Sequence, residues 1–266
     1  MEIYCYIAFI FLVARPSSIT ATEGDWRIIN GENAKSSVDM PFVVAVLYDG
    51  AHVCGGSLIG TDTVLTAAHC FKDDQQTRLY SVLIGQMNLK SIQTSPESMY
   101  HVRDIRIHAS WSPDEPAIDD IAIMKLSRPI VRSDKQDIVT LPWDALDTPS
   151  TGEMCQVAGW GALNNDMVLY PNQLQLAFMY VESDGICKAM YRSDFFVTNK
   201  QFCASGGHNS AICAGDSGGP FICLQGKRYV LHGITSYGPE PCLQTRRPAV
   251  FTRLSMYTDW IQNNIY

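Results

Sequence analysis

The chain has 266 residues, of which 46% are hydrophobic and 18% charged, a composition that suits a globular protein with a large core. Its formal net charge is −7. Met1–Arg27 holds two basic and three acidic residues, so the remainder carries −6. No basic cluster occurs, which argues against nucleic acid or heparin as the main partner.

The elements follow in chain order. Ile3 to Val13 is an apolar run too short to span a membrane and correctly placed for the core of a signal peptide, although Glu2 is the only charge before it. Ala14, Ser17, Ser18 and Ala21 all offer small residues for cleavage, so residues 1–21 are read as a signal peptide with its end left open. Secretion is the expectation, and no later segment reads as transmembrane. Beyond Arg27 come short apolar runs: Phe42–Leu47, Val64–Ala68, Ser81–Ile84, Ile121–Leu126, Met154–Ala158, Tyr229–Ile234 and Ala249–Thr252. Gly, Pro, Asn and Asp separate them, which predicts an all-β protein. Leu141–Pro149 reads as a crossover between two halves. Only the last segment has a helical period: Tyr257, Trp260 and Ile261 share a face, with Ser255 as the expected cap of a helix over 255–266.

Nine cysteines are present; Cys5 falls in the signal segment and leaves eight for the exported chain. An even number in such a chain implies disulfides, but eight cysteines admit more than a hundred connectivities. None shows zinc-ligand spacing. No Asn-x-Ser/Thr acceptor for N-glycosylation occurs.

Gly215-Asp216-Ser217-Gly218-Gly219-Pro220 is the stretch richest in chemical meaning. Flanking glycines permit a tight turn that can aim the amides of Gly215 and Ser217 at one point, where a carbonyl oxygen gaining charge would be stabilised. A serine needs a base to act as a nucleophile. Thr66-Ala67-Ala68-His69-Cys70 offers His69 beside a cysteine that can anchor it. The base in turn needs a buried acid. Asp119-Asp120 precedes the apolar Ile121–Leu126, and Asp120, which abuts that run, is the better candidate; Asp119 is expected to face solvent.

These segments resemble the trypsin/chymotrypsin-like serine proteases, in the chain order His, Asp, Ser that marks that fold. The resemblance runs from Arg27 to the C-terminus and includes Cys54-Gly55-Gly56-Ser57-Leu58-Ile59, Ala158-Gly159-Trp160-Gly161 and Ser236-Tyr237-Gly238. It implies two six-stranded antiparallel β-barrels, about 28–140 and 150–253, with the active site in the cleft between them, in a protease domain over 28–266. His69 would be the general base, Asp120 its orienter and Ser217 the nucleophile, with Gly215 and Ser217 forming the oxyanion hole. The implied disulfides are Cys54–Cys70, Cys155–Cys223, Cys187–Cys203 and Cys213–Cys242.

The resemblance further makes Arg27-Ile28-Ile29-Asn30-Gly31 an activation site, with residues 22–27 as propeptide. A freed Ile28 ammonium would form a buried ion pair with Asp216 and set the oxyanion amides. Ile29 and Asn30 depart from the usual Val and Gly. Ala211 falls at the base of the specificity pocket, where trypsin-like members carry aspartate; with Ile212, Gly238 and Ala249 it predicts an apolar pocket. Chymotrypsin-like cleavage after Phe, Tyr, Leu or Met is preferred, with elastase-like cleavage after small residues as the alternative. Arg27 would then be cut by a separate trypsin-like protease. Ser236 would hydrogen-bond Asp120, while Ser236, Tyr237 and Gly238 pair with an extended substrate. Glu240 reads as a solvated acid or as a rim contact for a basic residue. Gln86 stands where calcium-binding relatives have an acid, so no metal and no cofactor is expected. Polypeptide substrates, the activating protease and protein inhibitors are the expected partners of a monomer. The competing readings are a non-catalytic protease homologue and a disulfide-rich binding module.

Overall fold

The computed structural model describes residues 31–265 except 37, 73–75, 113–116, 143, 192–195, 197–198, 208–209 and 243–246. The signal segment, Arg27 and Ile28 therefore lie outside the described residues. Apolar runs that bury both faces, and alternating runs that bury one, become the strands β1 (Glu32–Asn33), β2 (Val43–Tyr48), β3 (Ala51–Gly60), β4 (Thr63–Thr66), β5 (Tyr80–Ile84), β6 (Met99–Ile107) and β7 (Ala122–Leu126). Strands β2 to β7 close into an antiparallel barrel in the order β2-β3-β4-β7-β6-β5. The closing pair runs from Val44↔Ile84 to Tyr48↔Tyr80. Aliphatic side chains such as Val44, Leu58, Leu65, Val82 and Ile123 fill it and are wholly buried.

The second barrel uses β8 (Met154–Gly159), β9 (Gln175–Val181), β10 (Gln201–Gly206), β11 (Pro220–Gln225), β12 (Arg228–Tyr237) and β13 (Ala249–Arg253). Its order is β9-β10-β13-β12-β11-β8, closed where β8 pairs β9 from Met154↔Tyr180 to Gly159↔Gln175. Three rings, Phe202, Phe221 and Phe251, pack at its centre with centroids 4.6–5.4 Å apart. Strand β1, from the N-terminal half of the sequence, adds to β9 through Glu32↔Leu176.

All seven apolar runs read from the sequence contain strands. Strands β6, β9, β10 and β11 hold none of those runs; in β9 two outward residues, Phe178 and Tyr180, are themselves apolar and exposed, which hides the alternation. The C-terminal helix spans Thr258–Asn264, not 255–266. Ser255 sits in a preceding 3₁₀ turn, Leu254–Met256, and its buried hydroxyl has no hydrogen-bond partner, so it does not cap the helix. Tyr257 and Ile261 are buried and Trp260 half-buried, the face the period predicts. Among the described residues no helix is long and apolar enough to cross a membrane.

Four disulfides join Cys54 to Cys70, Cys155 to Cys223, Cys187 to Cys203, and Cys213 to Cys242. The first ties β3 to the His69 turn. The last braces the loop ahead of Ser217.

Candidate active site

Backbone and side chains both join the barrels at their seam. The Gly55 amide of β3 donates across it to Ser217 O at 2.8 Å, while Gly218 N to Thr235 O at 2.8 Å and Thr235 N to Gly219 O at 2.9 Å tie the serine turn to its own barrel. Gly218 has a φ of +75°, and a Cβ there would stand 2.2 Å from Thr66 Oγ1 and 2.6 Å from Gly55 O. Only glycine fits both constraints. The same Cβ would lie 3.2 Å from Ala67 N, so the serine turn lies against the segment that carries His69. Among the described residues no hydrogen bond joins Ser217 Oγ to the imidazole. Catalytic hydrogen bonds of free enzymes commonly tighten only when substrate arrives.

His69 lies in a 3₁₀ turn, Ala68–Cys70, directly after β4. Its Nδ1 is 2.8 Å from Asp120 Oδ2, and its backbone N–H donates to Asp120 Oδ1 at 3.0 Å. An ionised carboxylate only accepts, so Nδ1 carries the proton and Nε2 keeps its lone pair. Burial pulls the imidazole pKa down, but the Asp120 hydrogen bond and charge outweigh it and leave His69 above its ordinary value. Asp120 is fully buried. The second barrel satisfies its remaining valence: Ser236 Oγ donates to Oδ2 at 2.5 Å, and Thr252 Oγ1 to the main-chain oxygen at 2.9 Å.

Asp119 does not face solvent. It is 4% exposed, because Lys200 Nζ meets its two oxygens at 2.7 and 2.8 Å and the Tyr257 hydroxyl donates at 2.9 Å. An ion pair with a distant lysine, invisible in the local sequence, carries the charge inside.

Asp216, next to Ser217, is also buried. Gly161 N donates to Oδ1 at 2.8 Å and Cys213 N to Oδ2 at 2.9 Å. A Cβ on Gly161 would fall 2.4 Å from that carboxylate, which explains a glycine after Trp160. Burial lifts the Asp216 pKa from 3.8 to about 6, and the two amides offset only part of it. No cation neighbours it among the described residues.

Beside Ser217 a cleft of about 270 Å³ opens between Ile212, Ser236, Tyr237 and Gly238, with Met167 and Glu240 at its edge. Ala211, expected at its base, does not line it; Ile212 does. A Cβ built on Gly238 would meet Ile212 Cδ1 at 3.7 Å and the Ala249 methyl at 4.0 Å. Met167, whose φ is +53°, escaped sequence reasoning, since nothing around it marks a pocket residue. Gln86 Nε2 donates to Ser98 at 3.0 Å. Among the described residues, the groupings near enough to share an ion are Cys54–His69–Cys70 and Glu153–Cys155–Cys223, and each spends both sulfurs in a disulfide.

The sequence model of the Trypsin family matches residues 28–261. Human kallikrein-2 is 34% identical over 252 residues, covering 90% of each chain. Rat kallikrein-8 is 30% identical over 265 residues, covering 99% of this chain and 95% of the relative. Among solved structures, neuropsin, a serine protease expressed in the limbic system of mouse brain, superposes with a TM-score of 0.78 at 32% identity, covering 89% of this chain and 99% of that one.

Proposed function

The chain belongs to the trypsin family of serine endopeptidases, and from that premise we propose that it is secreted as a zymogen and cuts after an uncharged apolar residue at Ser217. The observation that carries this reading is the His69–Asp120 pair, completed by Ser236, beside a serine turn clamped at the seam. His69 Nε2 takes the Ser217 proton as Oγ attacks the scissile carbonyl. The Gly215 and Ser217 amides receive the oxyanion, the proton passes to the leaving amine, and water then hydrolyses the acyl-enzyme.

Activation follows from charge. Asp216 is a buried carboxylate that meets two amides and no cation among the described residues. A cut after Arg27 would supply the Ile28 ammonium, pair with Asp216 and hold the oxyanion amides in place. Secretion is supported by the apolar leader Ile3–Val13 and by four disulfides, bonds that persist in oxidising compartments. The partners are polypeptide substrates, a trypsin-like activator and protein inhibitors, acting on a monomer.

The pocket narrows the substrate class. A Cβ extends about 1.5 Å from its Cα, so by the 3.7 Å contact above Ile212 Cδ1 stands at most a little over 5 Å from the Gly238 Cα. An aromatic ring flanked on both faces needs about 7 Å. Slim or small apolar side chains fit this slot better than rings, which moves the balance from the chymotrypsin-like toward the elastase-like alternative.

Two measurements test these readings. An organophosphate label on the Arg27-cleaved protein should modify Ser217; a folded, cleaved protein that takes no label would point to a non-catalytic homologue. In a peptide-library profile, Ile212→Gly should raise kcat/KM for Phe relative to Ala at the cleaved position by roughly tenfold or more. An unchanged ratio would refute the narrow slot.

A further inference from the structure

The catalytic reading of His69 and Asp120 leaves without a task the buried charge cluster that adjoins Asp120. Asp119 has a φ of +61°, a left-handed conformation uncommon outside glycine. Its carboxylate is gripped from the far side of the seam: Lys200 enters β10, and Tyr257 leads into the C-terminal helix. From its own barrel, His108 follows β6 and places Nδ1 4.0 Å from Asp119 Oδ1. Beside this grip Gln201 Nε2 donates to Ala117 O at 3.1 Å, a further tie across the seam. The next residue is Asp120. Its carboxylate and carbonyl must reach His69, Ser236 and Thr252 together, and its entry angle is set by the Asp119 backbone.

We propose that Asp119 and Lys200 are a positioning pair, a charge clamp across the barrel seam that holds Asp119 in its left-handed conformation and so aims Asp120 at His69. The pair rests on the reading of His69 as general base. It is neutral as a unit, so the dyad works in front of a cancelled field. Breaking one half leaves a charge of known sign behind Asp120. The groups facing Asp119 are Lys200, Tyr257 and His108; those facing Asp120 are His69 and Ser236. Tyr257 senses the whole cluster: burial first, then the Asp119 charge, with Asp120 adding to it, holds its hydroxyl protonated far above the ordinary range.

The sign of each substitution follows. Lys200→Gln leaves Asp119 negative, favours protonated His69 and moves the acid limb of the kcat/KM profile to higher pH. Asp119→Asn leaves Lys200 positive and moves that limb to lower pH. Each displacement should be on the order of half a pH unit, since the charges lie at a partly screened distance. The double variant Asp119→Asn/Lys200→Gln restores both neutrality and a side-chain hydrogen-bonding pair, and should return the limb near its original position. The single variants should lose kcat several-fold with KM little changed, because aim rather than binding is damaged.

The profiles are measured on the Arg27-cleaved enzyme, corrected for active sites by organophosphate titration. His108→Gln serves as a background that removes the other imidazole facing Asp119; the opposed displacements should persist there. Limbs that move the same way in both single variants, or not at all, overturn the clamp. Lys200 is only part-buried, so Lys200→Gln alone decides the matter if Asp119→Asn does not fold. A parent enzyme without an acid limb would instead overturn the base assignment of His69, and the clamp with it.

Discussion

The first barrel brings His69 and Asp120 to the seam inside a closed set of hydrogen bonds, with Asp120 Oδ1, Oδ2 and main-chain oxygen all occupied. The second barrel brings Ser217 on a turn held by main-chain bonds, and places beside it a buried Asp216 that meets two amides. Asp120 is satisfied by hydrogen bonds on one side, whereas Asp216 on the other meets no cation among the described residues. On the proposed reading, the base half is complete once the barrels pack, whereas the nucleophile half waits for the Ile28 ammonium. The proposed switch would therefore act at Ser217 and its amides rather than at the imidazole.

The largest test strikes the nucleophile half directly. Ser217→Ala should lower kcat by roughly 10⁴-fold or more, leaving the residual rate that binding and the oxyanion hole provide. A loss below a hundredfold, with substrate cleavage still tracking the protein, would remove Ser217 from the chemistry. Next, Asp216→Asn in the Arg27-cleaved enzyme should cost about 10²–10³-fold, the scale of a lost oxyanion donor. Its acid limb should stay where the parent's is, because the His69 side is untouched. A limb displaced together with the rate would erase the distinction between the two halves.

The smallest effect is on stability. Asp216 has its pKa raised from 3.8 to about 6 in the folded uncut chain. A raised folded value means the native state holds the extra proton, so the stabilising contribution is fully present below 3.8 and is lost as pH rises through about 6. Uncut Ser217→Ala protein should therefore show a downward step in Tm, by a few degrees, between about pH 4 and 6.5. In the cleaved form of that variant the step should vanish or reverse, since the paired carboxylate then prefers its charge. Identical Tm profiles before and after cleavage would sink the ammonium switch.

Much of this was legible in the chain. Each segment of the candidate site is local: a glycine-rich turn, a histidine beside a cysteine, an acid at the edge of an apolar run. Residue types within a few positions carry their meaning. The strands were visible where the run is largely apolar and buried on both faces, as in β2 and β7, and were missed where burial alternates, as in β6 and β9. Asp119 was misread because the lysine that admits it to the interior is 81 residues away. Thr66, Thr252 and Met167 went unnoticed for the same reason: their roles arise from neighbours distant in sequence. Ala211 and Ile212 were both expected in the pocket, but only Ile212 lines the cleft, facing Gly238 just past the end of β12.

By itself, then, the order of residues determined the chemistry on offer, the class of fold and the two halves of the site, because nucleophile, base, acid and strand period are properties of short segments. Packing the barrels decided the rest: which acid stays buried and why, how wide the slot beside Ser217 is, and which carboxylate lacks a counter-charge among the described residues. Burial and pairing are relations between side chains brought together across the seam, and only the closed structure sets those distances.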